Sequence, residues 1–261
     1  MSQPMHPGWY QPIPTRLPPR DPPPGWQLAP ADADQHRRIG FEILAMLVLA
    51  ALPSFIIGLE GIDDPQSIST DLSTLEVLYL VASAAGPALM AVYLLWRDKR
   101  LGLAGFGRRS PGFVIGYGLL GLVCVYIALI GAVIVASNIY VAFGGDLDDL
   151  GGDAAEVDFT AASLVVAYVI SLTAGVTEEV VFRAYAITRL EELGWKRAAF
   201  IVPGLVFTLL HLYQGLFGAV LIGSVTVVFT WLYRWRRSIW PVMVAHALFD
   251  SVQLTLAAAT A

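Results

Sequence analysis

Charge is scarce in this chain of 261 residues: only 14% are Asp, Glu, Lys or Arg, against 56% hydrophobic residues, and the mean hydropathy is +0.65. That balance excludes an ordinary water-soluble domain and matches a membrane protein. Cysteine is nearly absent. Cys124 stands alone in an apolar run, so an intramolecular disulfide is excluded and the residue reads as a small buried hydrophobe. No cleavable signal peptide is evident, because the first apolar run starts only near Ile39. No serine or cysteine sits in an activating motif such as GxSxG, the HExxH pattern of soluble zinc proteases is missing, and nothing points to nucleic acid. No internal repeat appears at the length of a helix pair or triplet, which weighs against an inverted-repeat transporter.

The residues that are present divide the chain in two. Residues 1–36 hold ten of the sixteen prolines, as in PTRLPPRDPPPGW, and few aliphatics. Such a segment is expected to be a disordered or polyproline-type cytoplasmic tail, read first as a solvated tail, with a ligand for a proline-binding module as the alternative. Residues 37–261 form the membrane domain, in which seven apolar segments are expected at about 39–59, 75–96, 112–138, 159–182, 198–213, 216–233 and 239–257. The fourth is expected to run on past the membrane as an amphipathic helix through Arg189 and Glu192, with Gly194 ending it. The resulting fold class is all-α, a polytopic bundle of about seven transmembrane helices.

The net charge of −5 says little by itself, because the charges are segregated. All sixteen Lys and Arg fall on one side of a seven-span arrangement, in the tail, at Arg37 and Arg38 just before the first segment, and in three loops that include Arg97–Arg109, Arg183–Arg197 and Arg234–Arg237. The opposite loops are acidic, from Glu60 to Glu76 and from Asp146 to Asp158. The positive-inside rule then gives a cytoplasmic N-terminus. Ala-, Gly-, Val- and Arg-rich usage points to a bacterial cell membrane.

One stretch breaks the apolar pattern. SLTAGVTEEVVFRAY places Glu178, Glu179 and Arg183 where hydrocarbon is expected. One acidic side chain at a membrane-helix centre costs about 2.5–3.5 kcal/mol, so ionisable groups there face a cavity or each other and mark a site. Glu179 and Arg183 stand four apart on one helix face and can pair, while Glu178 points about 100° away. Downstream, Phe207 precedes His211 by four and His246 precedes Asp250 by four. Counted at 1.5 Å per residue, Glu178, His211 and Asp250 lie roughly 18–20 Å from the cytoplasmic surface and His246 about 13 Å.

Carboxylates and histidines at one depth can activate water. A carboxylate beside a histidine in a dry pocket serves as general base, and a second donor stabilises the oxyanion of a tetrahedral intermediate. That is amide hydrolysis without a covalent intermediate. A divalent metal such as zinc, held by Glu178, His211 and His246, is the alternative source of an activated water.

The order Glu178-Glu179-x-x-x-Arg183, Phe207-x-x-x-His211, His246-x-x-x-Asp250 on successive membrane helices resembles the CPBP family, the CAAX-processing type II endopeptidases and bacteriocin-processing (Abi) membrane proteins. The resemblance covers about Leu164 to Leu256, inside a motif-bearing core of about 159–257. It implies an intramembrane endopeptidase, described in the family as glutamate-dependent or metallo, acting on a membrane-associated protein or peptide. Glu178 would be the base, assisted by His211. His246 and Asp250 would orient water or stabilise the oxyanion, with Glu179, Arg183 and Phe207 in support. Prenyl-processing members usually carry Asn where this chain has Asp250; Asn donates through its NH₂, whereas an ionised Asp only accepts. Two other classes fit the residues: a proton-coupled transporter using the Glu/His cluster as a relay, and a non-catalytic membrane scaffold working through the proline-rich tail.

Overall fold

The computed structural model of the protein describes residues 32–61, 74–146 and 161–260. The proline-rich residues 1–31 and most of both acidic loops, 62–73 and 147–160, lie outside them. The described residues form seven helices and no strand. These are α1 (Ala33–Gly61), α2 (Thr74–Arg97), α3 (Pro111–Ala142), α4, α5 (Lys196–Leu210), α6 (Gly215–Arg236) and α7 (Trp240–Thr260). Helix α4 has three continuous parts: an α-helical stretch Ala161–Glu178, a π-helical stretch Glu179–Ile187 and a closing α-helical stretch Thr188–Glu192.

Helix ends follow local chemistry, and two differ from the sequence reading. Asp32 accepts the backbone N–H of Gln35 at 2.8 Å, so α1 starts at Ala33 and residues 33–36 are helix rather than tail. The last proline of the tail, Pro30, precedes this cap, and nothing after it prevents helix formation. The end of α4 lies where expected, with Gly194 in a left-handed conformation (φ +76°) beyond it. Its last turns, however, do not present an amphipathic face to water. Arg189 is only 1% exposed and Glu192 8%, because α1 and α2 close over them.

An ion network explains how those charges are buried. Arg189 donates to Asp98 at 2.5 Å, to Glu192 at 2.7 Å and to the Leu94 carbonyl at 3.2 Å. Arg97 bridges Glu42 and Asp98, at 2.8 Å each, and Arg100 bonds Glu192. The network ties α1, α2 and α4 together at the basic end of the bundle. Hydrogen bonding from Arg97 is the main cause that holds the Asp98 carboxyl well below its usual range, with Arg189 adding to it and burial opposing.

Among the described residues, five helical segments are long and apolar enough to cross a membrane: Leu78–Arg97, Pro111–Ala142, Leu164–Glu192, Gly215–Arg236 and Trp240–Ala259. Helix α5 has 15 residues, about 22 Å of rise, and so stops short of a full ~30 Å crossing. In the interior, α7 packs between α3 and α4, and α4 also lies against α2. The α4–α7 contact is backbone to backbone. A Cβ at Gly175 would meet Ala247 N at 3.0 Å and Ala247 Cα at 3.1 Å. Small residues permit such approaches in membranes. This one lies a turn before Glu178 and one residue after His246, so it sets the spacing of the polar groups on the two helices.

Candidate active site

Helices α4, α5 and α7 bring Glu178, His211, His246 and Asp250 to one cavity of about 400 Å³, where Phe207 forms part of the wall. Helix α2 supplies another wall through Leu80, Val81, Ser83, Ala84 and Pro87. That contribution was invisible in the sequence, where α2 reads as an ordinary span.

The adjacent carboxylates separate into two environments. Glu179 is fully buried and does not line the cavity. Its Oε1 accepts from Arg183 Nη1 at 2.9 Å and from His246 Nδ1 at 2.8 Å. Glu178 faces the cavity, keeps 31% of its side chain exposed, and points Oε2 toward His246 Nε2 at 3.8 Å. Asp250 Oδ2 approaches the same nitrogen at 3.5 Å. A carboxylate oxygen already taking an arginine hydrogen bond is an acceptor, so His246 Nδ1 carries the hydrogen toward Glu179. Nε2 is thereby turned to Glu178 and Asp250. A proton held among these three groups belongs to the cluster rather than to one residue.

His211 is fixed by a different device. It is the C-cap residue of α5, and its Nδ1 lies 2.8 Å from the Phe207 carbonyl one turn back. A carbonyl only accepts, so Nδ1 donates and closes one of the open carbonyls at the helix end. The Phe207 ring supports the site from beneath. It lies 4.6 Å from the His211 ring and 5.2 Å from Phe182, and the Arg183 guanidinium sits 4.7 Å above it.

Three features had no counterpart in the sequence reading. The first is the π-helical stretch, all nine residues of which are buried. Its wider turn occurs mostly at functional sites, and no hydrophobic period announces it. The second is Thr226 of α6, 3% exposed, which accepts a hydrogen bond from Arg183 Nη2. The third is Phe229, whose ring packs 5.0 Å from that of His246. Both lie in the apolar run SVTVVFTW, where a threonine ordinarily bonds its own helix backbone and a phenylalanine ordinarily packs.

Among the described residues, no three His, Cys, Asp or Glu are grouped closely enough to hold an ion, so Glu178, His211 and His246 do not fit a metal centre as they stand.

Residues 160–252 match the family model described as type II CAAX prenyl endopeptidase Rce1-like. No match was found among curated proteins or among solved structures. The matched stretch starts at α4 and ends two residues beyond Asp250, so all seven residues singled out above fall within it. The five apolar crossings and this match make the chain an integral membrane protein, and its segment 160–252 belongs to the CPBP family, as an Rce1-like domain of a family of proteases.

Proposed function

We propose that the protein is an intramembrane endopeptidase that hydrolyses a peptide bond of a membrane-associated protein or peptide, in CAAX-type processing, with water as the nucleophile and Glu178 as general base. The convergence of Glu178, His211, His246 and Asp250 on one cavity inside an apolar bundle carries this reading. A bacterial cell membrane is the proposed setting, and bacteriocin-related processing is a narrower variant of the same chemistry.

The chemistry runs on this chain's own side chains. Water lies between Glu178 and the scissile carbonyl. Glu178 takes a proton from it while the oxygen attacks the carbonyl carbon, giving a tetrahedral oxyanion. The proton shared by the cluster puts a second hydrogen on His246, whose Nε2–H donates to that oxyanion, while His211, with Nδ1 donating to the Phe207 carbonyl, presents Nε2 as an acceptor that orients the water for Glu178. The proton on Glu178 then passes to the leaving nitrogen as the C–N bond breaks, giving a carboxylic acid and an amine, and the acid proton then passes to the amine or back through Glu178 to solvent. Asp250 holds the His246 side of the cluster. Glu179 and Arg183 act as positioning residues, since neither reaches the cavity.

The test compares newly formed peptide termini in membranes carrying wild type or Glu178→Gln at matched protein levels. Termini absent from the variant support the reading and identify the substrate. No Glu178-dependent terminus removes it, and proton-gradient-dependent flux is then the activity to assay.

A further inference from the structure

The basic end of the bundle contains a second cluster, away from the cavity. Arg234 and Arg237 both reach Glu191, at 3.3 Å and 2.6 Å. Arg236, between them, reaches no carboxylate among the described residues and turns to the other side of α6. Its guanidinium lies 4.1 Å from the Tyr117 ring, 4.9 Å from Trp235 and 5.0 Å from Phe113. Its Nε is buried without a hydrogen-bond partner among the described residues. Arg109 reaches the same Phe113 ring at 5.3 Å and donates a hydrogen bond, at 3.4 Å, to the Arg237 carbonyl. Two guanidinium groups thus stand within about 10 Å of each other around one ring, with no carboxylate between them. Like charges so placed repel unless an anion joins them.

The location identifies the anion. Arg109 precedes α3, Arg236 ends α6, and Trp240 starts α7, tied to the loop by its Nε1–H donating to the Gly107 carbonyl at 3.1 Å. Three membrane helices therefore end together here, at the boundary between hydrocarbon and headgroups. The N-terminus of α3 adds its positive end. Exposed Trp231 and Trp235, stacked at 4.9 Å, continue from Arg236 down the apolar face of α6. Aromatic residues at this level sit among lipid headgroups.

We propose that Arg109 and Arg236 bind the phosphate of an anionic phospholipid, with the acyl chains lying along Trp231 and Trp235. Contact with the Tyr117, Trp235 and Phe113 rings restrains the Arg236 guanidinium, whose planar fork suits bidentate contact to phosphate oxygens. This site is separate from the proteolytic cavity and stands without the functional reading above.

The test uses the full chain in detergent, with lipid binding read by native mass spectrometry. Phosphatidylglycerol and phosphatidylcholine of identical acyl chains are titrated in parallel, with inorganic phosphate as competitor. Wild type is expected to prefer phosphatidylglycerol. The Arg109→Gln/Arg236→Gln double variant is expected to bind it roughly thirtyfold more weakly and Arg109→Gln alone about fivefold. Arg236→Lys, which keeps charge but loses the planar fork, should fall close to Arg236→Gln. Melting without lipid identifies misfolded variants; if Arg236 variants misfold, Arg109→Gln decides, since Arg109 is exposed. Undiminished phosphatidylglycerol binding by a folded variant overturns the proposal, as does equal binding of phosphatidylcholine. Displacement by inorganic phosphate at the lipid's own concentration overturns the lipid assignment in favour of a soluble anion.

Discussion

Glu179 Oε1 stands 2.8 Å from His246 Nδ1, joining α4 to α7 through one carboxylate oxygen that also binds Arg183. The pair fixes which nitrogen of His246 faces the cavity, so a group outside the cavity governs one inside it. Glu179→Gln is expected to destabilise the protein by about 3–5 kcal/mol, because Arg183 is left buried and uncompensated. Replacing both, as Glu179→Leu with Arg183→Met, should recover melting stability but not cleavage, since His246 has lost its acceptor. Melting midpoints measured beside yields of cleaved termini separate the two effects. Recovery of both would reduce Glu179 to a structural role.

Glu178→Gln should behave differently. The side chain faces the cavity and carries no packing duty, so melting should stay near wild type while cleavage falls by about 10²–10⁴-fold. At Asp250, a substitution to Asn supplies an NH₂ donor and should retain more cleavage than Asp250→Ala, which removes the group altogether. If Asn and Ala are equally inactive, the carboxylate itself is what the reaction needs.

Gly175→Ala tests whether site spacing depends on helix approach. The added Cβ meets the Ala247 backbone at 3.0–3.1 Å, and backbone cannot turn aside as a side chain can. A loss of about 1–3 kcal/mol is expected, with cleavage falling because the Glu178-to-His246 distance widens. Unchanged cleavage in the folded variant would show that this contact does not set the site.

The network at the basic end predicts a pH signature. The Asp98 carboxyl is held below its ordinary range by its hydrogen bond from Arg97, with Arg189 as second donor. A depressed folded pKa means a contribution present above the unfolded value, near pH 3.9, and lost as pH falls through and below it. Melting midpoints of wild type and Asp98→Asn should differ at about pH 7, and the gap should begin to narrow only below about pH 4, closing as the pH falls through the depressed folded value. A gap that stays constant would mean that packing, not charge, accounts for Asp98.

Chelation addresses the nucleophile. Since Glu178, His211 and His246 do not gather as a ligand set, Glu178-dependent cleavage is expected to survive chelator treatment of the membranes. Loss of cleavage restored by added zinc would instead require those side chains to close on an ion.

The residues that line or support the candidate cavity were largely legible because they violate their surroundings. Glu178, Glu179, Arg183, His246 and Asp250 interrupt apolar helices, and charge in hydrocarbon needs a reason. Thr226 and Phe229 are compatible with an apolar helix and send no such signal, yet one holds Arg183 and the other packs on His246. Arg189 and Glu192 misled for the opposite reason. Their spacing reads as a solvated face, and only the approach of Glu42 and Asp98 from other helices buries them.

By itself, the sequence determined the membrane class, the order of the helices, the side of the bundle that is basic and the polar residues that stand out within apolar helices. Each of these rests on local content: apolar length, charge placement and four-residue spacing. Four-residue spacing already pairs Glu179 with Arg183, and tertiary structure alone decided what else meets each of the adjacent carboxylates. Glu178 and Glu179 are chemically identical and differ only in what meets them. Close packing at Gly175 sets His246 between the two, and a wall from α2 completes the cavity on Glu178's side. Such contacts join residues tens of positions apart, so no local pattern encodes them.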